Sequence, residues 1–232
     1  MKTIGLLGGM SWESTVSYYR IINETIKKRL GGLHSAKIVL YSVDFDEIEK
    51  LQHQGNWDAT AKILTEAGKN IERGGADFLL ICTNTMHKVA PQMEQELTIP
   101  ILHIADATAE ILKKSNKKTV GLLGTAFTME QDFYKGRLEE QYGLKVIIPE
   151  KEDRQLVHQV IYNELCLGVL KEDSKKSYLS IVKKLQNQGA EAIILGCTEI
   201  ALLIGEEKTE VPLLDTARIH AEKAVEYALK EL

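Results

Sequence analysis

The 232-residue chain has few cysteines, no strongly basic segment and no long apolar run. Its three cysteines are an odd number, so we expect reduced thiols rather than a disulfide framework. Neither a CxxC pair nor HExxH occurs, so no metal site is expected. The formal net charge of −4 argues against non-specific nucleic-acid binding. No apolar stretch approaches the ~20 residues of a membrane span. A signal peptide is not apparent either, so we expect a soluble, cytoplasmic protein without membrane partners.

Two signatures of nucleotide binding are also missing. A P-loop is excluded because Gly-Lys-Ser/Thr does not occur. Residues 5–9 are glycine-rich but have the wrong spacing for GxGxxG, and no acidic residue follows at a convincing distance. Nucleotide binding is therefore disfavoured.

The chain contains an internal repeat at an offset of about 112 to 116 residues. Three pairs of blocks match in the same order: residues 4–8 with 120–124, 75–85 with 189–199, and 99–102 with 211–214. In this register Thr83 falls opposite Cys197. A chain built twice over suggests that two similar turns each present one reactive side chain to a shared site.

Strand and helix patterns alternate along the whole sequence, which is typical of βαβ units with parallel sheets. We expect an α/β protein with two Rossmann-like lobes, the first near 1–104 plus 209–232 and the second near 105–208. The predicted strands are 2–8, 37–43, 77–82, 101–104, 119–124, 144–148, 192–197 and 212–215. The predicted helices are 12–30, 44–54, 56–73, 86–97, 106–115, 127–141, 152–166, 174–188, 199–204 and 217–232.

The polar turns all fall where a predicted strand passes into a helix, at residues 8–10, 83–85, 124–125 and 197–199. In open parallel sheets ligands bind at the carboxyl ends of the strands. The N–H groups at helix N-termini in the same region favour anions. These turns are therefore the candidate binding site.

The three cysteines carry different expectations. Cys197 stands just before a predicted helix, whose N–H groups would stabilise a thiolate, although a structural buried cysteine is the ordinary alternative. Cys82 lies one residue before the matched position, so its side chain should point to the other side and pack in the core. Cys166 is expected to serve packing.

Other polar residues in these turns have two interpretations. Asn84, Thr85 and Thr198 are common in turns and helix caps, but clustered at strand ends they could bind a carboxylate. His87 and His220 are more simply explained as structural histidines with satisfied hydrogen bonds.

Four motifs together resemble one known family: GLLGGMSWEST at 5–15, TNTMH at 83–87, GLLGTAFTM at 121–129 and GCTE at 196–199. They cover nearly the whole chain and resemble the aspartate/glutamate racemases, which use no pyridoxal phosphate (PLP) or other cofactor. The resemblance implies two similar α/β lobes related by a pseudo-twofold axis, an active site between them, and a homodimer.

In the family, two cysteines flank the substrate α-carbon, one before Asn-Thr-x-His and one in Gly-Cys-Thr. The second corresponds to Cys197 and the first to Thr83, so this chain resembles the Thr/Cys subgroup, described as specific for L-aspartate and L-glutamate or as broad in specificity. The resemblance implies that these two residues are the catalytic pair of a two-base mechanism.

The resemblance also suggests how the substrate is held. Asn84, Thr85 and Thr198 would bind the α-carboxylate and stabilise the enolate-like charge. Met10, Thr125 and Glu199 stand in the same motifs and complete the expected contacts, together with Gln52.

Recognition of the substrate side chain departs from the family pattern. Family members often carry an Arg after the second strand, where this chain has Gln52 and His53, and a Lys before Gly168, where it has Cys166. Both departures leave room for a broad-specificity racemase. A related cysteine-dependent decarboxylase or isomerase, such as arylmalonate decarboxylase or maleate isomerase, and a non-catalytic small-anion binding protein are the further alternatives.

Overall fold

The computed structural model describes residues 1–230. The described chain divides into two units, one formed by Met1–Ile104 with residues 220–230, the other by Ala105–Ile219. Each unit contains its own parallel sheet with helices between the strands. The expected α/β class with two parallel-sheet lobes is thus confirmed.

The first sheet has the strand order β2-β1-β3, with every pairing parallel. Its strands are β1 (Ile4–Gly8), β2 (Ile38–Ser42) and β3 (Phe78–Ile81). β1 is buried at all five positions because it is the central strand and helices cover its faces. The uninterrupted apolar run at the start of the sequence therefore reflects burial on both sides.

The helices of the first unit begin and end at residues whose chemistry explains the boundaries. They are α1 (Trp12–Leu30), α2 (Phe45–His53), α3 (Trp57–Arg73) and the short α4 (Ala90–Glu94), together with the part of α11 (Thr216–Leu229) that begins at His220. Asp44 caps α2 by accepting from the Asp46 N–H, and Asn56 caps α3 by accepting from the Ala59 N–H. Gly75, with a φ of 90°, turns the chain after α3 into β3.

The second sheet has the order β5-β4-β6-β7 and is also parallel throughout. Its strands are β4 (Thr119–Gly124), β5 (Lys145–Ile147), β6 (Ala192–Gly196) and β7 (Leu213–Asp215). β4 and β6 run side by side to their last residues, where Gly124 is paired with Gly196. The turns that follow these two strands therefore start next to each other.

The helices that follow are α5 (Ile104–Lys114), α6 (Ala126–Glu130), α7 (Lys135–Tyr142), α8 (Lys151–Asn163), α9 (Glu172–Asn187), α10 (Ile200–Ile204) and α11 (Thr216–Leu229). The single helix expected at 127–141 is two helices, because Gln131 adopts an extended conformation between them. The helix expected at 86–97 is a 3₁₀ turn, Thr85–Val89, followed by α4, whose second residue is Pro91. Proline lacks the N–H that a continuous helix would use.

Two further expectations differ from the structure. The strand expected at 101–104 is reduced to one parallel bridge between Leu79 and Ile101, and α5 begins at Ile104. Residues 209–232 were expected in the first lobe, but β7 is hydrogen-bonded to β6, so the chain as far as Ile219 groups with the second unit. The predicted last helix ends at Leu229, and residues 231 and 232 lie outside the described residues.

Among residues 1–230, no helix combines the length and the apolar composition that crossing a bilayer requires.

Candidate active site

In the first unit, the turn after β1 is fixed by glycine and by a threonine on α1. Gly9 has a φ of 95°, and a Cβ there would collide with the carbonyl oxygen of Val43. The Gly9 N–H donates to Thr15 Oγ1 at 2.9 Å, and the Thr15 hydroxyl donates to the Ser11 carbonyl at 3.0 Å. Met10, in the middle of this turn, is buried.

The turn after β3 carries Thr83, Asn84 and Thr85. Asn84 and Thr85 are buried, whereas Thr83 is only half-buried. The Ser14 hydroxyl on α1 donates to the Cys82 carbonyl at 3.1 Å, which ties this turn to the first one. The expectation that Cys82 packs in the core is confirmed, since the residue has no exposed surface. That burial raises the pKa of the Cys82 thiol.

Gln52, the predicted contact for the substrate side chain, lies near the end of α2 and is 1% exposed. Ile48, one turn earlier on α2, belongs to the apolar cluster that also contains Met10 and Met86. The first unit thus brings α2 into the same core as the β1 and β3 turns.

In the second unit, Thr125 and Cys197 follow the paired ends of β4 and β6. A Cβ on Gly124 would lie 2.9 Å from the Gly196 carbonyl oxygen, so two glycines are needed for the strand ends to approach this closely. Thr125 caps α6, because its Oγ1 accepts from the Thr128 N–H at 3.2 Å. The register of the sheet therefore places these two predicted site residues side by side.

Cys197, Thr198 and Glu199 form a hydrogen-bonded group. The Cys197 thiol donates to Glu199 Oε2 at 2.9 Å, and the Thr198 hydroxyl donates to the same oxygen at 2.9 Å. Glu199 is 3% exposed and Cys197 8% exposed. A carboxylate whose oxygen accepts from a buried thiol is placed to hold that thiol in one rotamer and to receive its proton.

Comparison with known proteins identifies the family of the chain. Residues 7–224 match the model of the family described as Asp/Glu/Hydantoin racemase. The chain belongs to this family. The resemblance drawn from the four motifs is thereby confirmed, and the chain is an enzyme of the isomerase class, an amino-acid racemase by family.

Three relatives show how far the similarity of this racemase extends. A candidate Asp/Glu racemase from Yersinia pestis shares 53% identity, with a TM-score of 0.92 over 99% of this chain and 100% of that one. An aspartate racemase homologue from Pyrococcus horikoshii OT3 shares 36% identity, with a TM-score of 0.84 over 98% and 99%. A broad-specificity amino-acid racemase of Bacillus subtilis strain 168 is 24% identical over 96% of each chain.

The electrostatics at Cys197 differ from the expectation of a helix-stabilised thiolate. Burial, followed by the charge of Glu199 and by Cys166, raises the pKa of the Cys197 thiol well above its ordinary value. The helix that follows, α10, has only five residues, so its dipole offers little compensation. The resting residue is therefore a thiol in this racemase, and it needs a partner to take its proton.

Two residues near these turns were not singled out by the sequence. Tyr178 is buried on α9 and donates to the Val157 carbonyl at 2.9 Å. Burial is the main cause that raises the pKa of the Tyr178 hydroxyl, followed by electrostatic interaction with Cys197, Glu164 and Cys166. His158 Nδ1 accepts from the Ala126 N–H at 3.2 Å, directly after Thr125. Neither residue belongs to a local motif, since each is brought in by a helix distant in sequence.

Proposed function

We propose that the protein interconverts the L- and D-antipodes of aspartate and glutamate by a cofactor-independent two-base reaction, with Thr83 and Cys197 as the proton-transferring residues. The observation that carries the proposal is the buried Cys197 thiol donating to Glu199 at 2.9 Å, directly after a strand end. The internal repeat supports Thr83 as its counterpart.

Cys197 is proposed to remove the α-proton from one antipode. As the α-proton passes to sulfur, the thiol proton passes to Glu199, so charge is conserved and a free buried thiolate need not accumulate. The carboxylate at 2.9 Å is suitably placed for this transfer, and burial strengthens the coupling between the two groups. Glu199 therefore has a role in proton transfer beyond the substrate contact first expected of it.

Thr83 is proposed to serve the opposite face of the α-carbon. A hydroxyl is a far weaker acid than a thiol, so Thr83 donates a proton and is re-protonated by water rather than resting as an alkoxide. Its partial exposure is consistent with access to that water. The resulting inequality predicts that the two antipodes exchange their α-protons by different rate-limiting steps, although the L/D equilibrium itself is unaffected.

The polar residues of the turns are proposed to bind the α-carboxylate and the developing enolate. Asn84 and Thr85 in the first unit, and Thr125 in the second, supply amide and hydroxyl groups, whereas the Thr198 hydroxyl, which donates to Glu199, can offer the substrate only its acceptor lone pairs. Charge that develops on the carboxylate during proton removal is stabilised best by donors already fixed in place. Met10 is proposed to form an apolar wall beside them.

Breadth of specificity is the second proposal for the same chemistry. Gln52 offers an amide where an Arg would pair with a side-chain carboxylate, and Cys166 stands where a Lys would. A neutral pocket discriminates weakly between acidic and neutral side chains. Similarity to the broad-specificity racemase of Bacillus subtilis supports this alternative.

The decisive experiment is α-proton exchange in deuterated water, followed by NMR, on L- and D-amino acids with no cofactor added. Exchange confined to aspartate and glutamate supports the first proposal, and exchange across many side chains supports the second. No exchange with any amino acid contradicts both and favours a malonate- or maleate-type substrate, which the same protein preparation can then be tested with.

Cys197→Ser tests the residue assignment. Serine keeps the size but not the acidity of the thiol, so exchange should fall by at least about 10²-fold. Cys82→Ala is the matched control, because that thiol is buried in the core and should leave exchange within a few-fold of the natural protein. Full activity in the Cys197 variant would contradict the assignment.

We further propose a homodimer, which sedimentation would test.

A further inference from the structure

A buried histidine cluster in the first unit has no part in the chemistry described so far. His87, His103 and His220 are all buried. The ring centroids of His87 and His103 are 4.4 Å apart, and those of His87 and His220 are 5.9 Å apart. His87 belongs to the 3₁₀ turn that directly follows Thr83 and Asn84, so the cluster lies against the turn that carries the proposed proton donor.

The hydrogen bonds of His87 determine its tautomer. The Ile104 N–H can only donate, so His87 Nε2, at 3.2 Å, must be an acceptor. His87 Nδ1 therefore carries the proton and donates to the Thr83 carbonyl at 2.9 Å. The ring is neutral in this arrangement, and burial, followed by the neighbouring histidines, accordingly lowers its pKa well below the ordinary value.

This side-chain bond replaces a main-chain bond that the local helix does not form. In the 3₁₀ turn the His87 N–H donates to the Asn84 carbonyl, at 3.1 Å, three residues back. An α-helical turn would instead direct it to the carbonyl of Thr83. The imidazole of the same residue supplies that carbonyl with a donor, and so the main chain of Thr83 is fixed by His87.

Hydrogen bonds of His220 hold the chain next to Ile104, the residue whose N–H donates to His87. His220 Nε2 donates to the Leu102 carbonyl at 2.7 Å, because a carbonyl can only accept. In the neutral ring, Nδ1 then accepts from the Tyr18 hydroxyl at 2.8 Å. Tyr18 lies on α1, His220 on α11, and Ile104 begins α5, two residues after Leu102. All three helices therefore support the position of the His87 ring.

We propose that His87 is a positioning residue for proton transfer at Thr83, holding the main chain of that residue through its Nδ1–H so that the hydroxyl keeps one orientation. The inference rests on the proposed racemisation. It goes further because it assigns a role to a residue outside the proposed proton-transferring pair and outside the proposed substrate contacts. A weak acid such as a hydroxyl depends strongly on alignment, and a displacement of 1 Å can cost about 10²-fold in rate.

Two substitutions separate the two hydrogen bonds of the ring. In His87→Asn the side-chain amide stands near the position of Nδ1 and retains a donor for the Thr83 carbonyl, while the acceptor for Ile104 is lost. In His87→Gln the longer side chain places its oxygen near the position of Nε2, so it retains the acceptor and loses the donor. Each variant loses the ring and one bond, which makes them matched for structural cost.

The reaction is started in deuterated water from the antipode that Cys197 deprotonates. The readout is the ratio of inverted to retained configuration among the molecules that have acquired deuterium at the α-carbon. Deuterium returned by Cys197 gives retention, whereas inversion requires Thr83. We expect His87→Gln to lower inversion at least about tenfold while retained exchange stays within about threefold. His87→Asn should keep both within about threefold of the natural protein.

Equal losses of inversion and retention in both variants would overturn the inference, because a purely structural role lowers both together. A natural ratio in His87→Gln would overturn it as well. If His87→Gln does not fold, His87→Asn provides the test. A tenfold loss of inversion in that variant, which keeps the donor, contradicts the inference, and the inversion-to-retention ratio of the natural protein supports it. Absence of any exchange in the natural protein would instead refute the proposed function, a result distinct from either.

Discussion

Replacing Glu199 by Gln separates two opposite effects of one carboxylate on Cys197. Glutamine has the same shape, and its amide oxygen can still accept the hydrogen bond from the thiol, which is 2.9 Å long in the structure, but it cannot take the proton. Removing the negative charge also lowers the pKa of the thiol, because that charge is the second-largest cause that raises it. The first effect slows proton transfer and the second favours the thiolate.

The structure indicates which effect prevails. Burial, the largest cause, remains in the variant, so the pKa of the thiol stays above its ordinary value and thiolate remains scarce near neutral pH. Loss of a positioned proton acceptor typically costs 10²–10⁴-fold. We therefore expect exchange to fall about 10²-fold, equivalent to about 2.7 kcal/mol of transition-state stabilisation.

Two measurements check this prediction on the same protein preparation. Exchange in deuterated water should fall, while the pH profile of thiol alkylation should move to lower pH. Glu206→Gln is the matched control, since Glu206 is exposed and lies beyond α10. Faster exchange in Glu199→Gln would mean that the carboxylate only opposes the thiolate, and an unchanged alkylation profile would mean that the two side chains are not coupled. Either result would refute the role assigned to Glu199.

Two further predictions concern stability. Gly9→Ala should lower the free energy of unfolding by about 1–3 kcal/mol, because a Cβ at a φ of 95° would meet the Val43 carbonyl; thermal denaturation measures this, and an unchanged melting temperature would contradict the strained turn. Burial raises the pKa of the Cys82 thiol above its unfolded value of about 8.5. The contribution of this thiol to the free energy of unfolding should therefore be undiminished below that pH and should fall as pH rises above it. Cys82→Ala should make this decline shallower in denaturant titrations between about pH 8.5 and 10, and an identical slope would count against a buried thiol.

Much of the fold could be predicted because its signals are local. Apolar runs without alternation mark β1, β4 and β6, which the structure buries at nearly every position. Glycines after α1 and α3 mark the ends of those helices. The interruptions at Pro91 and Gln131 are local as well. The grouping of β7 was decided by a distant contact, because β7 joins the second unit through hydrogen bonds to β6.

The composition of the candidate site is a prediction from the sequence, whereas the protonation chemistry at Cys197 could be argued only from the structure. The repeat and the motifs identified Thr83 and Cys197, and those assignments stay predictions until exchange is measured. Sequence reasoning expected a thiolate from the nearby helix, whereas the structure shows a thiol donating to Glu199. The protonation preference of a side chain depends on burial and on charges in space, which local sequence does not report.

The family, the α/β class and the order of most strands and helices follow from the amino-acid sequence, since periodicity, turn residues and motif order are properties of the chain. The meeting of Gly124 and Gly196, which brings Thr125 and Cys197 side by side, arises only when β4 and β6 pair in the folded sheet. The tautomer of His87 likewise depends on the tertiary structure, because the Ile104 N–H and the Thr83 carbonyl come to one ring only after folding. Hydrogen-bond direction and local dielectric arise from three-dimensional packing, and the chemistry of this protein depends on both.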